Sequence, residues 1–281
     1  MYTNVIAFVL AYKEPPTLSL HSLLFQELNS HIKLDIVIVA AYDSACQISS
    51  EIINGFAKSP NKKLVKCLVV KVPHGEVLEI GERVGFSLSL AMKIFDISRY
   101  DYILKLDDDV YLPKDFIKCH INASKELIGR GCAVLIKSST YIELFNHSWP
   151  INVLDDFIVI YSIETFKRTR VMAWRYIKQP LFLRPEIKVD IRRWLKTGFD
   201  YFVLGFHPLY MLFYTLKQII RPSRGISVFS EFKHILWRLI LLIGYTMAAC
   251  RLINKRPIWY YRLIRESQIH LIKRKMGKLI M

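Results

Sequence analysis

The chain has little cysteine, and the cysteines it has follow no recognisable pattern. It contains five in 281 residues, an odd number, and no two of them are spaced as C-x-x-C. This usage excludes a disulfide-stapled miniprotein, argues against a zinc cluster, and is typical of a reducing compartment. The apolar stretch at residues 5–11 is too short for a signal peptide and follows no basic leader. We therefore expect a cytoplasmic protein.

Several other signatures are also missing. The eight histidines form no H-x-x-x-H pair, and there is no G-x-S-x-G, no phosphate-binding P-loop, no internal repeat and no low-complexity tract. What is present is ordinary for a folded protein, with 52% apolar and 13% aromatic residues. These fractions exclude a disordered tail protein and a collagen-like fibre, and the length suggests one large domain or two modest ones.

The positive charge is confined to one end of the chain. The formal net charge is +16. Residues 1–160 carry 16 basic and 18 acidic side chains, whereas residues 161–281 carry 24 basic and 6 acidic ones. The chain is therefore a near-neutral body with a strongly basic end.

The first hundred residues alternate between short apolar runs and helix-like segments. We predict buried strands at 5–10, 35–41, 64–72 and 102–106, with helices over 81–97 and after Thr17, which we expect to cap the first of them. Continuous apolar strands separated by helices indicate a mostly parallel sheet covered on both faces. Ligands of such sheets bind beyond the carboxyl ends of the strands. Further along, we predict a helix at 115–127, a strand at 132–137 and a helix at 154–166.

Three consecutive carboxylates, Asp107, Asp108 and Asp109, follow the fourth predicted strand directly. Because side chains at i and i+2 leave a strand in the same direction, Asp107 and Asp109 can reach one metal ion while Asp108 points elsewhere. Mg²⁺ and Mn²⁺ suit a few carboxylates together with phosphate oxygens. The alternative interpretation is a solvated acidic turn.

The order of these features resembles the family-2 glycosyltransferases of the GT-A fold. Residues 10–14, L-A-Y-K-E, are similar to the P-x-Y-N-E-like turn after the first strand of that family. Residues 102–109, Y-I-L-K-L-D-D-D, are similar to its Y-I-L-x-L-D-x-D segment, and Pro113 stands where the family has a proline before a helix. The resemblance covers roughly residues 4–200.

The resemblance implies a sugar nucleotide lying across the strand ends, with Mn²⁺ or Mg²⁺ bridging its diphosphate. Asp107 and Asp109 are then the metal ligands. Contacts with the donor nucleotide are expected from Ala11, Tyr12, Glu14, Asp43, Arg83, Asp107 and Asp108. Asp43 is offset from the pair of acids usual in the family, and Arg83 can equally be a surface residue of its helix.

An inverting transfer also needs a carboxylate base from another part of the chain, to take the proton of the attacking hydroxyl. In the family this is the acid of an E-D pair at a helix start, and Asp155 and Asp156 occupy that position here. We expect Asp156 to be the base and Asp155 its helper; the alternative is that both only cap the helix and complement its dipole. Arg193 and Trp194 are similar to part of a Q-x-x-R-W element, which suggests phosphate and acceptor-sugar contacts.

The basic end alternates cations with aliphatic and aromatic residues, as in residues 258–265 and 269–280. This pattern favours an anionic membrane surface, or an acidic lipid phosphate, over nucleic acid as the partner. Residues 235–253 would reach the length of a spanning helix if the flanking arginines snorkelled. The remaining alternative is a helical subdomain with ordinary surface lysines.

These interpretations give an α/β, GT-A-like fold with a C-terminal helical region. Residues 1–115 are expected to bind the nucleotide-sugar, and residues 116–200 to bind the acceptor and supply the base. Residues 201–281 are expected to attach to the inner face of the cell membrane as a monotopic or peripheral region. The expected activity is an inverting, metal-dependent glycosyl transfer to a sugar or lipid-linked acceptor. The alternatives are a non-catalytic scaffold on a degenerate GT-A fold and a sugar-phosphate nucleotidyltransferase, although residues 10–16 lack the Gly-rich loop of the latter.

Overall fold

In the computed structural model the chain forms two compact units. One unit contains residues 1–163 and 169–185, and the other contains residues 164–168 and 186–281. The described residues are 2–11, 16–40, 65–70, 80–130, 132–151, 155–166, 181–182, 191–220, 228–252, 265–266, 268–269 and 272.

The described strands of the first unit form a six-stranded sheet and a small two-stranded one. In chain order the strands are β1 (Thr3–Ala11), β2 (Ile32–Ala40), β3 (Val65–Val69), β4 (Tyr102–Leu106), β5 (Val110–Tyr111), β6 (Leu127–Arg130), β7 (Ala133–Lys137) and β8 (Leu181–Phe182). The order in the large sheet is β3-β2-β1-β4-β7-β6, and β5 pairs with β8. β3, β2, β1 and β4 are parallel, whereas β7 is antiparallel to both of its neighbours. The predicted mostly parallel sheet is confirmed.

Helices accompany the sheet as the alternating pattern predicts. Between residues 17 and 166 the described helices are α1 (Thr17–Leu24), α2 (Ile80–Ile94), α3 (Phe116–Asn122), α4 (Ser138–Phe145) and α5 (Asp155–Phe166). Every residue of β1 from Val5 to Ala11 is buried. An unbroken apolar run suits this strand because both of its faces are covered.

The topology reverses beside β1, and this reversal positions the site. The chain steps outward from β1 to β2 and β3, and then returns to place β4 on the other side of β1. Val9 is paired with Leu106 in the parallel register, so Ala11 and Asp107 lie at the same edge of the sheet. Ligands of open α/β sheets bind at such a switch point, beyond the carboxyl ends of the strands.

Two sequence predictions about local structure are wrong. The helix predicted over 115–127 ends at Asn122, and Leu127–Arg130 forms β6, which pairs with β7 in a tight hairpin. Gly129 permits this hairpin: its φ is +131°, and a Cβ there would lie 2.1 Å from the carbonyl oxygen of Ala133. Thr17 is the first residue of α1 rather than its cap; Pro16 occupies the cap position, with no side-chain hydrogen bond.

The second unit contains three described helices, α6 (Ile191–Val203), α7 (Pro208–Ile220) and α8 (Val228–Leu252). Glycines bring the backbones of α6 and α8 together. A Cβ on Gly198 would lie 2.0 Å from the carbonyl oxygen of Leu241, and one on Gly244 would lie 2.1 Å from that of Leu195. Among the described residues, no helix combines the length and the apolar character needed to cross a bilayer.

We predict that Gly244→Ala lowers the free energy of unfolding, although a Gly-to-Ala change inside a helix ordinarily raises it. The added methyl would meet backbone atoms of Leu195, which cannot rotate away, and overpacking of this kind costs about 1–3 kcal/mol. Urea denaturation measures the change. The control is Thr246→Ala at an exposed position of the same helix, and its free energy of unfolding should stay within about 0.5 kcal/mol of wild type. Equal stability of the two variants would show that α6 and α8 can move apart without loss of stability.

Candidate active site

The acidic triplet forms the turn between β4 and β5, at the carboxyl edge of the sheet. Asp107, Asp108 and Asp109 are all partly exposed. The backbone N–H of Asp107 donates to the carbonyl oxygen of Cys132 at 2.9 Å. The first aspartate is therefore anchored to the neighbouring chain segment, and the side chains of the triplet stay accessible to a ligand.

A buried serine on α1 fixes the turn from the opposite side. The Oγ of Ser19, a residue with 0% exposure, lies 2.5 Å from the carbonyl oxygen of Asp107 and 2.7 Å from that of Val110. It also accepts a hydrogen bond of 3.1 Å from the N–H of Val110. Both ends of the acidic turn are therefore tied to one side chain, which the sequence motifs do not reveal.

Lys105 connects the acidic turn to a distant part of the chain. This residue of β4 is 3% exposed. Its Nζ donates to Asp156 Oδ1 at 2.9 Å and lies 3.4 Å from Asp107 Oδ1. Burial disfavours the charged amine, but the carboxylates of Asp107 and Asp156 outweigh it and raise the pKa of Lys105 well above its usual value. One ammonium thus brings together the two acids that the sequence assigns to metal binding and to proton transfer.

Asp155 is buried beside this group. It is 5% exposed, and its Oδ2 accepts a hydrogen bond of 2.6 Å from Nε1 of Trp149. Burial, and then the negative charge of Asp156, raise the pKa of Asp155 well above its usual value. Its carboxyl group therefore fixes the start of α5 to the indole, which is a supporting role.

Trp149 is itself held by aromatic and backbone contacts. Its ring stacks on that of the buried Tyr141, with centroids 5.5 Å apart. Its carbonyl oxygen accepts a hydrogen bond of 2.9 Å from Ser89 on α2. A Cβ on Gly85 would lie 2.3 Å from the carbonyl oxygen of Pro150, so α2 packs closely against this segment. The position of Asp155 thus depends on α2 and α4 as well as on α5.

The other predicted site residues are placed as follows. Ala11 is buried at the end of β1, and Arg83 is exposed on α2. Arg193 belongs to α6, and the ring of Trp194 stacks on that of Trp237 with centroids 6.1 Å apart. Tyr12, Glu14 and Asp43 lie outside the described residues, and their expected donor contacts stay predictions.

Three residues of the site were not predicted from the sequence: Lys105, Ser19 and Trp149. A signal for the first was present, because a single lysine interrupts an otherwise apolar buried strand and a buried ammonium requires a partner. Nothing near Ser19 distinguishes it from a helix-surface serine. Trp149 can be read from the sequence, but its hydrogen bond to Asp155 depends on the fold of residues 138–151.

The donor set of the acidic turn fits a hard divalent cation. Asp107 and Asp109 offer carboxylate oxygens, the ligands that Mg²⁺ and Mn²⁺ prefer, and both side chains are partly exposed. Within the described residues, no group of three or more His, Cys, Asp or Glu side chains is arranged to hold a metal. A cation at this turn would therefore need ligand atoms from a bound phosphate as well.

No protein-family model and no curated protein sequence matches the chain. The solved structures that are similar to it include two glycosyltransferases. The mannosyltransferase PcManGT from Pyrobaculum calidifontis, in complex with GDP-Man and Mn²⁺, has 12% sequence identity and a TM-score of 0.50, over 99% of this chain and 88% of that one. TarS from S. aureus has 12% identity and a TM-score of 0.51, over 94% of this chain and 55% of that one. At such low identity the similarity shows the fold alone, and it confirms the predicted GT-A-like α/β fold.

We predict that Ser19→Ala lowers the free energy of unfolding by about 1–3 kcal/mol, because it leaves buried backbone groups of the acidic turn without their partner. Urea denaturation measures this loss. Ser98→Ala is the matched control, since Ser98 is exposed and bonds only locally, to Asp96, in the contacts described. A Ser19 variant as stable as the Ser98 variant would mean that the turn does not depend on this hydroxyl.

Proposed function

We propose that the protein is a metal-dependent, inverting glycosyltransferase that moves a sugar from a nucleotide-sugar to an acceptor hydroxyl. One observation carries this proposal. The fold brings Asp156 to the acidic turn at the carboxyl edge of a parallel sheet, where Lys105 Nζ lies 2.9 Å from Asp156 Oδ1 and 3.4 Å from Asp107 Oδ1. Diphosphate binding and proton transfer require groups of this kind side by side.

The donor would lie across the ends of β1 and β4. Asp107 and Asp109 would hold Mn²⁺ or Mg²⁺, and the cation would neutralise the negative charge of the departing diphosphate. Ala11, Asp108 and Arg83 are the described residues proposed to contact the nucleotide, together with Tyr12, Glu14 and Asp43. PcManGT, a protein with a similar fold, was solved with GDP-Man and Mn²⁺, which supports a donor and cation of this chemical type.

Asp156 would act on the acceptor. Its carboxylate takes the proton of the acceptor hydroxyl while the oxygen bonds to the anomeric carbon, and the bond from that carbon to the diphosphate breaks on the opposite face. Lys105 and the bond from Trp149 to Asp155 hold the start of α5. The base therefore keeps its place relative to the acidic turn.

The second unit supports a location at an anionic membrane surface. α7 and α8 each carry a row of exposed large apolar side chains at helical spacing. The rows are Leu209, Leu212, Phe213 and Leu216 on α7, and Leu236, Leu239, Ile243 and Met247 on α8. Residues 161–281 also hold 24 basic and only 6 acidic side chains. Apolar contact combined with positive charge is the requirement for peripheral binding to the cytoplasmic leaflet, and it agrees with a lipid-linked acceptor.

We predict that Asp109→Asn and Asp156→Asn separate donor binding from turnover. Asp109→Asn should lose the Mn²⁺-dependent rise in melting temperature that a nucleoside diphosphate produces, because a metal ligand is gone. Asp156→Asn should keep that rise and lose about 10²- to 10⁴-fold in transfer, because the base is gone. Thermal shift and donor turnover are measured with UDP-, GDP- and dTDP-sugars.

Glu27→Gln is the matched control for these two variants. It neutralises an exposed acid that pairs with Lys114 at 2.8 Å, and it should resemble wild type in both measurements. Metal-dependent nucleotide binding by the Asp109 variant, or full turnover by the Asp156 variant, would refute the assigned roles. Donor binding by wild type without any turnover would favour the non-catalytic scaffold.

We also predict that replacing Leu239 and Ile243 by serine weakens binding to vesicles of phosphatidylglycerol and phosphatidylcholine. Losing two inserted side chains should cost about 1–2 kcal/mol, which corresponds to roughly tenfold in partitioning. Co-sedimentation with the vesicles measures this change. The matched control replaces Leu90 and Ile94, which are exposed on α2 of the first unit, and should bind as wild type does. Equal partitioning of both double variants would exclude the α8 row as the membrane contact.

A further inference from the structure

Lys105 is a charge in a place where the sequence otherwise puts only apolar side chains. Its neighbours in β4, Leu104 and Leu106, are fully buried, and Lys105 itself is 3% exposed. Moving an ammonium group out of water is costly unless opposite charges and hydrogen bonds replace the solvent. The groups around Lys105 must therefore stabilise its charge.

The partners of Lys105 come from two segments that are remote in the sequence. Nζ lies 3.4 Å from Asp107 Oδ1 on the acidic turn, and 2.9 Å from Asp156 Oδ1 on α5. The buried Asp155 adds a third carboxylate to the same neighbourhood. Lys105 therefore lies between carboxylates of two separate chain segments, and its charge offsets the repulsion between them.

We infer that Lys105 is a positioning residue: it is the internal cation that holds Asp107 and Asp156 together before a metal ion binds. The roles of these two aspartates rest on the proposed function, but their shared ammonium does not. Without Lys105, carboxylates that repel one another would face each other in a partly buried site, and the acidic turn would move away from α5.

The charge of Lys105 also affects metal binding at the acidic turn. Lys105 and a cation on Asp107 are two positive charges acting on the same carboxylate, so each weakens the interaction of the other. Lys105→Met should therefore bind Mn²⁺ more tightly than wild type while its metal-free form is less stable. A side chain that only fills space in the core would leave the affinity for Mn²⁺ unchanged.

The experiment is a double-mutant cycle in urea, with EDTA present and no nucleotide. In wild type, Asp156→Asn should lower the urea midpoint, because Lys105 loses a partner. In the Lys105→Met background, the same substitution should raise the midpoint, because it removes a repelling charge. A change of the same sign and size in both backgrounds would overturn the inference.

A second measurement, isothermal titration with Mn²⁺ alone, tests the coupling to the metal. Lys105→Met should bind at least about tenfold more tightly than wild type, since a competing charge has been removed. Lys105→Arg keeps the charge and should resemble wild type in affinity and in urea midpoint. If Lys105→Met and wild type bind Mn²⁺ with equal affinity, the inferred coupling between Lys105 and the metal is wrong, even if the urea cycle shows that the ion pair exists.

Failure of a variant to fold is also informative. If Lys105→Met is unfolded in EDTA, the double variant Lys105→Met, Asp156→Asn decides the outcome: it should fold, because the excess negative charge has been reduced. If the double variant is unfolded as well, the lysine is needed for a reason other than its carboxylates, and the inference is wrong. The urea cycle uses neither donor nor metal, so its failure is distinguishable from failure of the proposed transferase activity.

Discussion

The pairing of β1 with β2 on one side and with β4 on the other is the constraint on which the site depends. β1 is buried from Val5 to Ala11 and has a parallel partner at each edge. A strand placed between parallel neighbours brings their carboxyl ends to one edge, so the turn that follows β4 must lie beside the end of β1. This pairing leaves the acidic triplet at an accessible edge of the sheet, and Ser19 on α1 fixes the conformation of its turn.

Gathering several carboxylates at this edge has an electrostatic cost, and the surrounding residues reduce it. Two unit charges of like sign about 5 Å apart repel by roughly 3 kcal/mol at an effective dielectric constant near 20. Lys105 offsets this repulsion for Asp107 and Asp156, and the indole of Trp149 gives the buried Asp155 a hydrogen bond. Lys105 thus allows the carboxylates that are proposed to bind a cation and to take a proton to lie close together.

Local patterns predicted the parts of this structure that depend on nearby residues. β4 and the start of α5 were foreseen because an apolar run and an acidic helix start are local signals. β6 was mistaken for the end of a helix, because only its pairing with β7, through Gly129, makes residues 127–130 a strand. In the site, the D-x-D pattern indicates Asp107 and Asp109, whereas the meeting of Lys105 with Asp156, 51 residues further along, is a property of the tertiary fold that no local pattern contains.

Helix α8 of the second unit is apolar on two faces, one buried and one exposed. Its buried face includes Leu241, Tyr245 and Ala248. This face lies at the contact between Gly244 and α6, where the two backbones already touch. Rotating α8 to bury Leu239 and Ile243 would break that contact, so this second row stays exposed. A contiguous exposed apolar surface is unfavourable in water and usually marks an interaction site. Since the flanking sequence is strongly basic, the proposed anionic lipid surface would satisfy both the apolar row and the positive charge.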